Sequence, residues 1–184
     1  MEYGEDYWSE YARGNEARYN REFADFVRDL AASLRCQSVL EVGCGTGIDL
    51  RLLGGDMRVY GADLNGLALE MARDSMPRGD FRRCDIRKLP FEDSSVDFVF
   101  THKLLNYLDD DTLDAGISEM HRVARRYVMS CEVYGIDGEV ISGAYRRRDI
   151  GRRWLGRDVR IVSDVEMHPE IDPDRARFLL VRVG

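Results

Sequence analysis

No stretch of the chain approaches the run of apolar residues that a bilayer crossing needs, and its first residues are acidic and aromatic instead of basic and then apolar. Neither a membrane span nor a secretory leader is expected, and a cytoplasmic location is the simplest reading. The four cysteines, Cys36, Cys44, Cys84 and Cys131, include no Cys-x-x-Cys pair. Three fall in or beside expected strands, where a free thiol acts as a small apolar group, so neither a disulfide nor a metal site is expected. Repeats, low-complexity tracts and clear linkers are absent as well. A formal charge of −7 offers no general surplus of cations for phosphate, so DNA and acidic membranes are not expected partners. The length of 184 residues suits one domain with a real core and is too short for two.

The chain does contain Val39-Leu40-Glu41-Val42-Gly43-Cys44-Gly45-Thr46-Gly47, an apolar strand ending in a carboxylate and then in three alternating glycines. Glycine tolerates positive φ and has no Cβ, so such a turn lets main-chain amides approach a small molecule closely. Glu41 stands where ligands of open α/β sheets sit. The dinucleotide fingerprint Gly-x-Gly-x-x-Gly is broken at Ile48, which disfavours a pyrophosphate. About 20 residues after the first glycine, Asp63 ends the apolar strand Val59-Tyr60-Gly61-Ala62, beside Leu64. A carboxylate there can accept both hydroxyls of a ribose.

Residue for residue, the glycine segment resembles the first motif of class I S-adenosylmethionine-dependent methyltransferases, and the resemblance extends from about Val39 to Val133. It implies S-adenosyl-L-methionine as cofactor, with Glu41, Gly43, Cys44, Gly45 and Gly47 lining its amino-acid tail. In Cys84-Asp85-Ile86 it implies an acid at Asp85 for the adenine amino group and a backbone contact at Ile86. The segment Leu89 to Phe100 resembles the loop and fourth strand of the family, leading to Thr101 and His102. His102 is the best-placed candidate general base, since imidazole titrates near neutrality. His121 and His168 read as packing or exposed residues.

The implied fold is α/β, a Rossmann-like methyltransferase fold: a mostly parallel seven-stranded sheet with an antiparallel C-terminal strand and helices on both faces. The alternation of strands and helices along the chain independently predicts right-handed crossovers and a parallel sheet. Strands are expected at Ser38–Val42, Arg58–Ala62, Phe81–Cys84, Val96–Thr101, Tyr127–Val133, Val159–Met167 and Phe178–Val183. Helices are expected over Asn20–Leu34, after Gly47, after Asn65 and from about Thr112 to Arg125, with Asp109, Asp110 and Asp111 as caps. Residues 135–143 read as a loop. The single domain 1–184 then divides into an N-terminal helical cap or lid, 1–35, and a core, 36–184.

The leading segment holds Tyr3, Tyr7, Trp8, Tyr11 and Tyr19, dense for a peptide end that is otherwise polar and frayed. As a lid, it would bring Tyr11 to the methionine carboxylate and Trp8 to the acceptor; the plainer reading is packing. Arg146 to Arg153 reads either as a solvated charge run or as an anion site, because guanidinium forks match phosphate and carboxylate. Trp8-Ser9-Glu10-Tyr11, Tyr60 to Asn65 and Arg147-Arg148-Asp149 loosely resemble methylases of pseudaminic acid biosynthesis, which implies a sugar or sugar-nucleotide acceptor. A small-molecule methyltransferase is thus expected. An RNA or protein methyltransferase is second, although the Asn/Asp-Pro-Pro-aromatic motif is absent after the fourth strand, where Thr101-His102-Lys103-Leu104 stands. A module that binds the cofactor without transferring is third.

Overall fold

The structure, a computed structural model, describes residues 3–184. In chain order they form helix α1 (Glu5–Arg13), helix α2 (Arg21–Ser33), strands β1 (Ser38–Val42) and β2 (Arg58–Asp63), helix α3 (Gly66–Ser75), and strands β3 (Asp80–Arg83) and β4 (Val96–His102). Helix α4 (Asp110–Val123), strand β5 (Ala124–Glu132), the hairpin β6 (Val140–Ser142) and β7 (Tyr145–Arg146), helix α5 (Ile150–Arg153) and strands β8 (Val159–Glu166) and β9 (Arg177–Val183) follow.

Seven strands make one sheet in the order β3-β2-β1-β4-β5-β9-β8. The pairs from β3 through β5 are parallel, and β9 runs antiparallel to both of its neighbours. The expected sheet is therefore the observed one. Its order reverses between β1 and β4, which opens a ligand crevice at the carboxyl ends of those strands.

Helix starts follow local chemistry. The side chains of Asn20, Asn65 and Asp109 accept from the amides of Phe23, Ala68 and Thr112, so each satisfies a donor that the first helical turn leaves over. Alternation along the strands then divides the core in two. Phe23 and Val27 of α2 pack with Val39, Phe98, Phe100 and Met129 on one face. Leu113, Ile117 and Met120 of α4 pack with Leu40, Val99 and Val128 on the other. Each of these large buried side chains contributes about 1.5–3 kcal/mol of transfer free energy.

Three local expectations change. After Gly47 there is no α-helix but a single 3₁₀ turn, Ile48–Leu50, because the chain must return at once to place Leu50 in the α2 face. Helix α4 starts at Asp110 with Asp109 as its cap, and β5 begins directly at Ala124. Residues 135–143 are not simply a loop, since Val140–Ser142 pairs with Tyr145–Arg146.

Candidate active site at the carboxyl ends of β1, β2 and β4

The glycine segment turns sharply where β1 ends. Gly43, Gly45 and Gly47 have φ of 77°, 52° and 72°, a region that side-chain-bearing residues rarely adopt. At Gly43 space decides as well, because a Cβ would lie 2.7 Å from the Leu104 side chain. The amides of Gly43 and Cys44 both donate to the Ala62 carbonyl, at 2.7 and 3.1 Å, which ties the turn to the end of β2. Asp63 completes the tie: Oδ2 accepts from Gly45 N and Oδ1 from Asn65 N, each at 2.8 Å. Burial raises the Asp63 carboxyl above its usual range, and those amides only partly offset it.

Glu41 lies beneath this turn, 3 % exposed, and its Oε2 has no hydrogen-bond partner among the described residues. Burial, the carboxylates of Asp49 and Asp63, and a hydrogen bond with Asp49 push it well above the usual carboxylate range. Asp49, in the turn after Gly47, also reaches His102: its Oδ2 lies 2.7 Å from Nδ1 of the imidazole. Beside an ionised carboxylate, which only accepts, Nδ1 is the donor of this pair. The ring stacks on Phe23 with centroids 3.7 Å apart. Nε2 is buried without a partner among the described residues. Glu41, Asp49 and His102 thus form a continuous polar line on the α2 face of the sheet.

Helix α1 packs beside the glycine turn. Asn65 Nδ2 donates to Ser9 Oγ at 3.1 Å, and buried Asn15 Nδ2, just after the helix, donates to Thr46 Oγ1 at 2.9 Å, so the N-terminal segment is tied to the β2 end and the glycine turn together. On its far side, Trp8 meets Tyr107 edge-on at 4.9 Å, and Tyr107 packs against Tyr145 at 4.6 Å. Tyr11 stays in this aromatic group, with the Arg18 guanidinium 4.0 Å above its ring.

The remaining expected residues are placed differently. Asp85 is held by Arg87, whose Nε and Nη2 lie 3.0 and 2.6 Å from its two oxygens, and this pairing lowers its carboxyl. Ile86 packs beneath, against Gly116 of α4. Leu64 is exposed beside Asp63, its carbonyl accepting from Arg83. Thr101 is wholly buried and shares the opposite face from His102, beside Glu132. The arginine run is largely paired internally: Arg147 with Glu139, buried Arg148 with Asp110, and Arg153 with Asp110, Asp114 and Asp137.

Sequence reasoning missed Asp49, Phe23, Asn15 and the Tyr107–Tyr145 wall. A signal existed for Asp49: an acid between Ile48 and Leu50, in a segment that must be buried, needs a partner. One group of potential metal ligands occurs among the described residues, His102, Cys131 and Asp172. The Asp172 oxygens are already in use, accepting from Lys103 Nζ at 2.8 Å and from the amides of Asp174 and Ala176.

Residues 39–127 match the methyltransferase domain family, a stretch that takes in the glycine turn, Asp63, Asp85 and β4. That match takes in just under half of the chain. The chain is 39 % identical over 90 residues to a malonyl-[acyl-carrier protein] O-methyltransferase of Yersinia pestis, covering 47 % of this chain and 32 % of that protein. It is 33 % identical over 122 residues to a probable S-adenosylmethionine-dependent methyltransferase of Mycolicibacterium smegmatis, covering 66 % and 42 % respectively. The chain thus spans well under half the length of these curated relatives. Among solved structures, magnesium protoporphyrin IX methyltransferase of Synechocystis PCC 6803 with bound S-adenosylhomocysteine superposes with a TM-score of 0.69 at 17 % identity, over 88 % of this chain and 82 % of that one. The chain thus shares the fold of that structure. Among the described residues no helix is long and apolar enough to cross a membrane.

Proposed function

We propose that the chain is an S-adenosylmethionine-dependent methyltransferase acting on a small-molecule acceptor held under α1, with a sugar or sugar nucleotide as the specific candidate. The observation that carries this reading is the pair of buried acids, Glu41 and Asp63, ending neighbouring strands around a turn of bare backbone. A carboxylate oxygen without a partner beside amides and a second acid fits an adenosyl amino acid that brings hydroxyls and an ammonium group. Asp63 would accept the ribose hydroxyls, the Gly43–Gly47 backbone and Tyr11 would hold the amino-acid tail, and Asp85 with the Ile86 amide would meet the adenine once Arg87 shares its carboxylate.

The cofactor supplies an electrophilic methyl carbon bonded to a positively charged sulfur. The chain's contribution is orientation, which is worth on the order of 7–11 kcal/mol when reacting atoms are held in line. Helix α1 excludes water, and the rings of Trp8, Tyr107 and Tyr145 wall the acceptor side. His102, its Nδ1–H fixed by Asp49, is the residue set to take a proton at Nε2 from an acceptor that has not already lost it. The acids paired with Arg147, Arg148 and Arg153 leave little guanidinium charge for phosphate, so of the two candidates the aromatic wall supports a neutral sugar over a sugar nucleotide.

Labelled S-adenosylmethionine incubated with fractionated metabolites, RNA and protein tests the reading. Label in the metabolite fraction supports it. Label in polymer transfers the assignment to an RNA or protein methyltransferase, and binding with no labelled product leaves a module that only senses the cofactor.

A further inference from the structure

The line Glu41–Asp49–His102 carries an inference beyond cofactor recognition, and it rests on the cofactor reading above. We propose that the Glu41 and Asp49 carboxyl groups hold one proton between them, braced by His102, and that the ammonium group of S-adenosylmethionine displaces it, so that cofactor binding releases a proton to solvent. Glu41 and Asp49 are 3 % and 6 % exposed, and their carboxyl groups meet. Two carboxylates in that contact cannot both be ionised cheaply, whereas a protonated Glu41 donates to Asp49 while His102 Nδ1–H donates to the same carboxylate from the other side. Glu41 Oε2 has no partner among the described residues. The raised Glu41 carboxyl agrees with this arrangement.

The surrounding charges favour the same exchange. From β2 comes the Asp63 carboxylate, and from the glycine turn the Cys44 thiol, itself raised by burial and then by Asp63 and Glu41. Strand β5 contributes Cys131 and, beyond it, Glu132, whose carboxyl the His102 charge acts on. The loop before β9 contributes Asp172, neutralised by Lys103. Helix α2 offers only the Phe23 ring. Among the described residues in this group the lysine or arginine is Lys103, and it is engaged by Asp172 and Asp174. A ligand ammonium therefore meets a carboxyl with no other cation to pair with. Glu41 ionises to accept it, and its proton departs.

Calorimetric titration of the full chain with S-adenosylmethionine and with S-adenosylhomocysteine, near neutral pH in two buffers of different ionisation heat, tests this. The expected result is a heat that differs between buffers with a slope of about one proton released, and an affinity that rises about tenfold per pH unit below the Glu41 titration. Glu41→Gln should bind more weakly with a buffer-independent heat. Should that variant fail to fold, Asp49→Asn serves, with a reduced slope. Binding by the natural protein with the same heat in both buffers overturns the inference and leaves the cofactor reading intact. Absence of binding heat in every buffer overturns both.

Discussion

Glu132 offers a stability test with a sign and a size. It ends β5 at 1 % exposure, with Oε2 accepting from the Asn106 amide at 3.3 Å and Oε1 without a partner among the described residues. Burial pushes its carboxyl up from an ordinary 4.5 to about 7, against the opposing pull of Thr101, the Leu105 and Asn106 amides and His102. Because the folded state holds this proton more tightly than the unfolded chain, the stability it lends is fully present below the unfolded value of 4.5. It is lost as the pH rises to about 7. At about 1.4 kcal/mol per pH unit, that interval is worth about 3 kcal/mol. Glu132→Gln keeps the oxygen that accepts from Asn106 and cannot titrate. Denaturant unfolding of both proteins should therefore show the difference between them moving toward the glutamine variant by about 2–3 kcal/mol between about pH 5 and about pH 8. Parallel stability curves across that range would refute the reasoning, since they would mean that Glu132 ionises in the fold as easily as in the open chain.

Asp63→Ala removes an acceptor for two ribose hydroxyls at roughly 1.5–3 kcal/mol each, so calorimetric affinity for S-adenosylhomocysteine should fall about 10²- to 10⁴-fold; an unchanged affinity sinks the ribose assignment. Asn106→Ala strands the Val133 amide, the Val133 carbonyl and the Arg146 carbonyl that its side chain now satisfies, at 2.9, 2.9 and 2.7 Å. Chemical denaturation should show a loss of about 2–4 kcal/mol, and a change below about 0.5 would mean that water replaces the amide without cost. The Trp154→Phe protein retains Trp8 as its one indole, so its emission should shift when S-adenosylhomocysteine binds under α1. Binding heat without any spectral change would separate α1 from the cofactor crevice.

Most of the sheet was legible in the sequence because its central strands β1 and β4 are buried on both faces and read as short apolar runs bounded by turn residues. The cofactor acids were legible for a related reason: Glu41 and Asp63 stand where the apolar runs of β1 and β2 stop. What was not legible depends on contacts between distant segments. Asp49 pairs with His102 across 53 positions and Asn106 with Arg146 across 40, and no local spacing encodes either. The arginine run looked like an anion site because its acids, Asp110, Asp114, Asp137 and Glu139, come from α4 and from the crossover before the hairpin. Thr101 was expected only at the carboxyl end of the fourth strand, where it stands; period-two alternation puts it on the face opposite His102.

The position of α1 links the two halves of the proposed reaction. Its polar side holds the cofactor elements through Ser9 to Asn65, and the Asn15 that follows it holds Thr46, while Trp8 meets Tyr107, which Asn106 and the Tyr145 hairpin fix in place. The helix and the turn after it thus contact the segments that the proposed function assigns to ribose, amino-acid tail and acceptor. The polar contacts that fasten them are Asn65 Nδ2 to Ser9 Oγ and the Glu5 carbonyl, Asn15 Nδ2 to Thr46 Oγ1 and an exposed Glu5–Arg83 pair, the hydrogen bonds worth about 0.5–1.5 kcal/mol net each. The core helices α2 and α4, by contrast, are held by fully buried side chains. A segment fastened that lightly opens at far lower cost than the domain unfolds. On the proposed reading, ligands enter and leave as α1 lifts while the Glu41–Asp49–His102 line and the glycine turn stay in place.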